Sequence, residues 1–189
     1  MTLAKSGLRA AMRSARRAMD AGMRAAESAA VCAACLPLLP AGVCGSYAAL
    51  PDEVDLIGLH RHLWSAGRAV LLPRVAGPGR LTWHRVAGPD CLRPGAYGIA
   101  EPDPSLAPAA ELPDGAVVLV PGVAFCADGR RLGQGGGFYD RLLEARPDLR
   151  AIGVGFACQL VDDLPAEAHD RRMHALVIAG RIVLGQAPA

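Results

Sequence analysis

The sequence has no long apolar run, little net charge and few aromatic residues. Its longest apolar stretches, such as GAVVLVPGVAF, are about half the roughly 20 residues that a membrane-spanning helix needs, and proline interrupts them. Twenty basic and eighteen acidic side chains leave a formal charge of +2, which is less than the basic excess of a typical nucleic-acid binder. Aromatic residues make up only 4%, yet hydrophobic residues reach 52%, so extensive disorder is excluded. We expect a globular protein that binds neither membrane nor nucleic acid.

The sequence also lacks a secretory signal and the cysteine pairs of a zinc site. Its six cysteines are scattered, and the one tight pair, Cys32 and Cys35, has no second pair to complete four zinc ligands. Reduced thiols and a cytoplasmic location are therefore expected. The first twenty residues are basic, amphipathic and free of acids until Asp20, a composition shared with mitochondrial transit peptides, but we interpret them as part of the folded domain.

The length of 189 residues fits one domain. Apolar segments of strand length are VCGSYAAL, RAVLLPRV, RLTWHRV, AVVLVPGVAF, AIGVGFA, ALVIAG and RIVLG. Helices are predicted from residue 2 to about 36, in PDEVDLIGLHRHLWSAG and in YDRLLEARP, whereas the prolines and glycines of 87–113 predict an irregular connection. This alternation predicts an α/β domain with a mostly parallel sheet and binding loops at the carboxyl ends of the strands.

Two stripes run along the predicted first helix. An apolar stripe, expected to pack on the core, consists of Leu8, Met12, Ala15 and Met19. A basic stripe, which places successive cations on one side of the helix, consists of Lys5, Arg9, Arg13 and Arg16. On the pattern alone, a solvated basic face is the favoured interpretation.

The segment GRRLGQGGGFYDRLL, residues 129–143, joins the most hydrophobic strand to a predicted helix. It does not match G-x-G-x-x-G, because the third glycine would fall at Phe138, and no G-K-[ST] follows. Its backbone N–H groups can nevertheless converge on an anion at the start of a helix, since four of its residues are Gly133, Gly135, Gly136 and Gly137. Arg130 and Arg131 would add positive charge, and Asp140 would suit a divalent cation. The alternative is a mobile surface loop with a helix-capping aspartate.

The longer segment VPGVAFCADGRRLGQGGGFYDRLL resembles the signature of 5-formyltetrahydrofolate cyclo-ligases, also called methenyltetrahydrofolate synthetases. In that signature a strand ending Pro-Gly-x-x-Phe precedes Arg-Leu-Gly-x-Gly-x-Gly-aromatic-Tyr-Asp. Further similar segments occur in the family's order along nearly the whole chain: KSGLR, YAALPDEVD, LPRV, YGIAEP, the glutamine after IGVGFA, and His169 with Asp170.

The resemblance implies a single three-layer α/β/α domain over residues 1–189, which we expect to be a monomer. It implies an enzyme that uses ATP and Mg²⁺ to convert 5-formyltetrahydrofolate into 5,10-methenyltetrahydrofolate, with release of ADP and phosphate. The route expected for the family is transfer of the γ-phosphoryl group to the formyl oxygen, attack by N10 on the activated carbon, and departure of phosphate.

The resemblance also assigns site residues. The ATP site would be lined by Lys5, Ser6, Gly7, Leu8, Arg9, Arg131, Leu132, Gly133, Gln134, Gly135, Gly136, Gly137, Phe138 and Tyr139. The folate site would contain Ala48, Glu53, Gln134, Gly135, Gly136, Gly137 and Phe138, and the Glu53 carboxylate can accept two parallel N–H groups from the pterin. Asp140 and Asp170 match the magnesium-site aspartates. Catalysis is assigned to Lys5, Arg131, Gly135 and Gly137.

The sequence departs from the family's pattern at four positions. Relatives often carry larger, aromatic or cationic residues where Gln134 and Gly136 stand, and Phe138 keeps a stacking surface but lacks the hydroxyl of tyrosine. His174 stands in a region where relatives frequently place an acid, which leaves the surroundings of the metal site open. The sequence leaves the effect of these four residues on affinity open.

Several charged side chains receive no functional role from the sequence. Arg16 and Arg17 are expected to be solvated. His60 and His62 lie two positions apart on a helix and are not expected to share a metal, while His84 is assigned a structural or surface role.

Two other functions stay open. One is a binding protein of the same fold that retains affinity for nucleotide or folate without turnover. The other is an enzyme acting on sugar phosphates on a related scaffold, which would leave the carboxylate of Glu53 unexplained.

Overall fold

A seven-stranded sheet with helices on both faces forms the centre of the molecule. The computed structural model describes residues 3–165, 167 and 170–184, and His169 lies outside the described residues. The helices are α1 (Leu3–Ala18), α2 (Ala21–Cys35), α3 (Ile57–Ser65) and α4 (Phe138–Ala145). The strands are β1 (Cys44–Gly45), β2 (Val70–Val75), β3 (Leu81–Val86), β4 (Leu92–Pro94), β5 (Ala100–Pro102), β6 (Val117–Pro121), β7 (Ala124–Cys126), β8 (Arg131–Leu132), β9 (Arg150–Gly155), β10 (Leu160–Val161), β11 (Ala175–Ile178) and β12 (Arg181–Leu184).

The order of strands in the large sheet is β12-β11-β9-β6-β1-β2-β3. Its five inner strands are parallel to one another, and each edge strand pairs antiparallel with its neighbour. A small sheet of order β10-β7-β8 and a β4-β5 hairpin complete the strand pairing. The prediction of a mostly parallel sheet is confirmed.

Alternate residues of the central strands enter two separate cores. In β6, Val117 and Leu119 pack with side chains of α2 and α3, whereas Val118 and Val120 pack on the opposite face with Leu143 of α4. This period of two is what a strand covered on both faces requires. The two cores confirm the expected three-layer α/β/α arrangement.

Helix α1 covers the small sheet rather than the large one. Leu8 and Met12 of its apolar stripe contact the buried cluster that contains Leu132 of β8 and Leu164. The adjacent basic stripe is thereby held against the segment that follows β8. The fold thus places α1 beside the glycine-rich loop.

The long N-terminal helix predicted from residue 2 to about 36 is two helices. Asp20 ends the first pattern because its side chain accepts hydrogen bonds from Gly22 N (2.7 Å) and Met23 N (3.2 Å), which caps α2. The segment AVVLVPGVAF is likewise two strands, since the chain leaves the large sheet at Gly122 and continues as β7. Residues 87–113, expected to be irregular, contain the β4-β5 hairpin.

The six cysteines all lie in the described part of the chain and are free thiols, as expected. Among the helices of residues 3–165, 167 and 170–184, none combines the length and apolar character needed to cross a membrane.

Gly153 of β9 allows the ring of Phe125 to approach the sheet. A Cβ at this position would lie 2.6 Å from Phe125 Cε1 and 2.7 Å from Leu176 Cδ2, both of them buried. We expect Gly153→Ala to lower the free energy of unfolding by about 2 kcal/mol through overpacking. Gly58→Ala is the control, because Gly58 is exposed in α3 and a Cβ there meets only Cys32 Sγ at 4.0 Å. Urea unfolding of the two variants tests this, and equal stability would refute it.

Candidate active site

Two adjoining cavities open where α1, the glycine-rich loop and the carboxyl end of β6 meet. The larger has a volume of about 410 Å³ and the smaller of about 280 Å³. Four residues line both, and they form a shared wall: Arg131, Gly133, Gly137 and Asp140. Ligands in the two cavities would therefore touch at this wall.

The glycine-rich loop has a backbone conformation that depends on glycine. Gly135 has φ +107° and Gly137 has φ +63°, in the region that side chains with a Cβ rarely adopt. Arg9 Nε donates to Gly133 O at 2.8 Å, and Arg141 donates to Gly136 O. These contacts favour a fixed anion-binding loop over a mobile surface loop.

Three cations surround the smaller cavity. Lys5, only 4% exposed, donates to Asp170 Oδ2 at 2.7 Å and lies 3.2 Å from Glu167 Oε2. Arg131 Nη2 donates to Asp140 Oδ1 at 2.9 Å. Arg131 Nε and Arg9 Nη1 are buried without a hydrogen-bond partner among the described residues. Three cations around one cavity suit a multiply charged anion such as a polyphosphate.

Lys5 stays charged in this position. Burial acts to lower its pKa, but the hydrogen bonds and charges of Asp170 and Glu167 outweigh burial, and the net effect is a raised pKa. The ammonium group is therefore a permanent cation at neutral pH, beside two carboxylates.

The larger cavity combines apolar walls with a buried carboxylate. Glu53, 8% exposed, accepts from Leu50 N at 3.2 Å and from Gln134 Nε2 at 3.3 Å. Burial raises the pKa of Glu53, opposed by the Leu50 N–H, the charge of Arg16 and the amide of Gln134. The apolar walls include Ala48, Leu50, Pro73, Val75, Leu81, Ile99, Pro121 and Phe138. Such a cavity suits a flat, largely apolar ligand with N–H donors at one edge.

The model of the 5-formyltetrahydrofolate cyclo-ligase family matches residues 1–179. The chain belongs to this family. It is 36% identical over 177 residues to the 5-formyltetrahydrofolate cyclo-ligase of Mycolicibacterium smegmatis, covering 89% of this chain and 90% of the relative. It is 34% identical over 151 residues to the cyclo-ligase of Escherichia coli, covering 77% of this chain and 82% of the relative.

Solved structures agree with this family. The 5,10-methenyltetrahydrofolate synthetase of Aquifex aeolicus superposes with a TM-score of 0.80 at 31% identity, covering 99% of this chain and 95% of the other. The synthetase of Mycoplasma pneumoniae superposes with a TM-score of 0.67 at 19% identity, covering 93% of this chain and 97% of the other, and this likeness concerns the fold alone.

The residues that the cyclo-ligase resemblance assigns to ATP divide between the two cavities. Lys5, Arg9, Leu132 and Gly135 line only the smaller, whereas Gln134, Gly136, Phe138 and Tyr139 line only the larger. Ser6 and Gly7 are exposed and line neither, and Leu8 packs on the cluster beneath α1. Contact of these three with ATP stays a prediction.

Asp140 and Asp170 both line the smaller cavity, as expected for a shared cation, together with Glu167. Each of the two aspartates is already paired with a cation, and no group of three metal-binding side chains occurs among the described residues. Carboxylate oxygens are suitable ligands for Mg²⁺, which often keeps waters and phosphate oxygens in its coordination sphere. The residues fit Mg²⁺ only as a cation shared with a bound phosphate.

The expectation that Arg16 is solvated is wrong. Arg16 is 1% exposed because Asp52 and the Gly122 carbonyl accept from its guanidinium at 2.9 and 3.3 Å in the interior. The same expectation holds for Arg17, whose side chain is 73% exposed. The three- and four-residue spacing of the basic stripe was a signal that included Arg16, but charge spacing alone does not reveal burial.

Two further residues of the larger cavity received no role from the sequence. Arg13 Nε donates to Gln134 Oε1 at 2.9 Å, so the exposed glutamine is held between Arg13 and Glu53. Glu101 is 5% exposed and accepts from Val75 N at 3.2 Å. Its segment YGIAEP was part of the family pattern, which was the available signal.

None of the four histidines in the described part of the chain lines either cavity. His60 is buried beside Ser46, with Nε2 2.8 Å from Ser46 Oγ, and burial lowers its pKa to about 4. His84 is also buried, and its Nδ1 donates to Ala107 O at 2.9 Å, in line with a structural role. His174 Nδ1 accepts from Ala151 N at 3.0 Å, so its ring is oriented by β9 rather than by Asp170.

Replacement of Gly135 tests whether the conformation of the glycine-rich loop is needed for ATP binding. In Gly135→Ala the positive φ would cost about 1 to 2 kcal/mol or force the loop to rearrange. We expect affinity for Mg-ATP to fall by about tenfold, measured by calorimetry. Gly115→Ala is a matched control, because Gly115 also has positive φ (+69°) but lies before β6, with nothing within 4 Å of an added Cβ. Equal ATP affinity in both variants would contradict a specific role for the loop.

Proposed function

We propose that this protein converts 5-formyltetrahydrofolate into 5,10-methenyltetrahydrofolate at the expense of ATP. The observation that carries the proposal is the shared wall of Arg131, Gly133, Gly137 and Asp140 between an apolar cavity and a cationic one. A folate in the first and a triphosphate in the second would meet there. Membership of the cyclo-ligase family supports the same reaction.

The larger cavity is suited to the folate. Glu53 faces it from the loop after β1, and a carboxylate accepts the paired N–H groups of an aminopyrimidine edge bidentately. Phe138 offers a ring for stacking on the pterin. Gln134 bridges Glu53 and Arg13, which orients the amide at the cavity edge. The Gln134 side chain is thus held in place by two hydrogen bonds.

The smaller cavity is suited to the phosphates of ATP. Lys5 and Arg9 lie one turn apart on α1 and face the glycine-rich loop from one side, with Arg131 on the other. The guanidinium groups of Arg9 and Arg131, which line this cavity, would donate to phosphate oxygens. The left-handed Gly137 places the start of α4 at the shared wall, where its N–H groups add partial positive charge.

The reaction then needs positioning more than a nucleophilic side chain. The formyl oxygen attacks the γ-phosphorus, the bond to the β-phosphate oxygen breaks, and ADP leaves. N10 next adds to the formyl carbon, and the carbon–oxygen bond breaks so that the oxygen departs with phosphate, while N10 loses its proton. Charge on the transferring group would be neutralised by Lys5, Arg131 and the N–H groups of Gly135 and Gly137.

Asp140 and Asp170 would hold Mg²⁺ together with phosphate oxygens. When bound, the ion supplies charge neutralisation on the phosphates. Their present partners, Arg131 and Lys5, would keep both carboxylates oriented toward the smaller cavity. A monomeric, cytoplasmic enzyme stays our prediction.

A binding protein without turnover is the second candidate. The grouping of Lys5, Arg9, Arg131, Asp140 and Asp170 around one cavity that shares a wall with a folate-sized cavity favours catalysis, since binding alone does not need the two ligands to touch. A sugar-phosphate enzyme would leave the apolar cavity with Glu53 unused.

Turnover of the purified protein decides between these functions. Mixed with 5-formyltetrahydrofolate and Mg-ATP, it should form the methenyl product, followed by its ultraviolet absorbance, with one ADP released per product. Folded protein that binds both ligands but forms no product would favour the binding protein over the enzyme.

Asp140→Asn and Arg131→Ala test the shared wall. Each variant breaks the 2.9 Å ion pair between the two cavities, and we expect turnover to fall by at least about tenfold, roughly 1.4 kcal/mol of transition-state stabilisation. The matched controls are Asp114→Asn and Arg85→Ala, both at exposed positions away from the cavities. Turnover at the control level in both test variants would refute their roles.

Glu53→Gln tests pterin recognition. An amide presents one acceptor oxygen in place of two and adds a donor, so bidentate acceptance is lost. We expect KM for 5-formyltetrahydrofolate to rise by about tenfold while KM for ATP changes less than about twofold. Initial rates over a grid of both substrates measure the two constants, and an equal rise in both would contradict a folate-specific role.

A further inference from the structure

The guanidinium of Arg16, at the end of the basic stripe, lies beside the carboxylate of Glu53 on the folate side of the site. It is 1% exposed, and its Nη2 donates to Asp52 Oδ2 at 2.9 Å. Its Nη1 donates to Gly122 O at 3.3 Å and lies 3.7 Å from Glu53 Oε1. It lines neither cavity, so it would act on a ligand only through a neighbouring residue.

Burial of the Arg16 guanidinium costs free energy, so its position calls for an explanation. A guanidinium removed from water loses its hydration, and a buried ion pair offsets this loss only when its geometry is good. Here Nε has no hydrogen-bond partner among the described residues, so the guanidinium is only partly satisfied by hydrogen bonds. What Arg16 does accomplish is to bring a fixed positive charge beside two consecutive acids, Asp52 and Glu53.

The acceptors of Arg16 belong to the segments that shape the larger cavity. Asp52 and Glu53 lie in the loop after β1, and Gly122 directly follows Pro121, which lines the cavity. The Gly122 carbonyl also accepts from Gln159 Nε2 at 2.7 Å, which holds it in place. Arg16 thus ties the loop of Glu53 to the end of β6.

We propose that Arg16 is a positioning residue for folate binding, which holds the Glu53 carboxylate charged and correctly oriented toward the larger cavity. The inference rests on the proposed function, because it gives Glu53 the pterin as its ligand. It adds that α1 organises both substrates: Lys5 and Arg9 face the phosphates, and Arg16, about two turns beyond Arg9, acts on the Glu53 carboxylate that faces the folate.

The charged and titratable groups facing Glu53 come from three elements. Arg16 approaches from α1, Asp52 and Tyr47 from the loop after β1, and Tyr139 from α4. Burial raises the pKa values of both tyrosines, so neither carries charge at neutral pH. The charge balance at Glu53 is therefore between Arg16, which lowers the pKa of Glu53, and Asp52, which raises it.

This balance predicts that removing Arg16 and removing the charge of Asp52 shift the pH at which folate binding is lost in opposite directions. Pterin binding needs the ionised carboxylate and is lost as pH falls through the pKa of Glu53. Arg16→Gln removes the cation, so binding should be lost at a higher pH than in the wild type, with affinity about tenfold weaker near neutral pH. Asp52→Asn removes the acid, so binding should persist to a lower pH.

The experiment measures the dissociation constant of 5-formyltetrahydrofolate by calorimetry between pH 5 and 8, without ATP and hence without turnover. Wild type, Arg16→Gln, Arg16→Lys and Asp52→Asn are compared, with Arg61→Gln as the control because Arg61 is exposed on α3 and lines neither cavity. Arg16→Lys keeps the charge and should keep the pH at which binding is lost. Arg61→Gln should behave as the wild type.

The outcomes separate this inference from the proposed function. Wild-type protein that binds no folate overturns both. Folate binding by the wild type with an unchanged pH dependence in Arg16→Gln overturns only the role of Arg16. If Arg16→Gln does not fold, Asp52→Asn decides, since an unchanged or opposite shift there overturns the inference and a shift to lower pH supports it.

Discussion

The packing of the apolar stripe of helix α1 on the small sheet fixes where the adjacent basic stripe lies, and both ligand cavities depend on this packing. Its apolar stripe is buried by contact of Leu8 and Met12 with the cluster around β8, and this contact turns the adjacent cations toward the loop that follows β8. There they meet carboxylates and carbonyls: Asp170 for Lys5, Gly133 O for Arg9 and Asp52 for Arg16. Without the apolar contact these cations would face solvent, where ion pairs contribute little.

The shared wall converts this arrangement into a site for two substrates. Arg131 is anchored by Asp140 on one side and by the Pro121 carbonyl on the other, so its charge is available to both cavities. Gly135 and Gly137 have positive φ angles that residues with a Cβ rarely adopt, so the backbone conformation of the loop depends on glycine. This conformation is as much a part of the site as the charges are.

Much of the fold was predictable because parallel strands buried on both faces have a distinctive pattern. The hydrophobic segments located the strands of the large sheet, and the glycine-rich segment located the loop before α4. The predicted boundaries of helices and strands were wrong where a local interaction ended the helix or strand. Asp20 caps α2 within a continuous helical pattern, and Gly122 releases the chain from the large sheet within one apolar segment.

The sequence by itself determined the family, the α/β class and most candidate site residues, because the motif from Val120 to Leu143 is long and its residue types are specific. Only the tertiary structure decided which residues share a cavity. It separated Gln134 and Phe138 from Gly135, although they are close in sequence, and it buried Arg16 while exposing Arg17. The physical reason is that burial and charge pairing depend on segments far apart in the chain, here α1 against the loop after β1, and no local pattern encodes that contact.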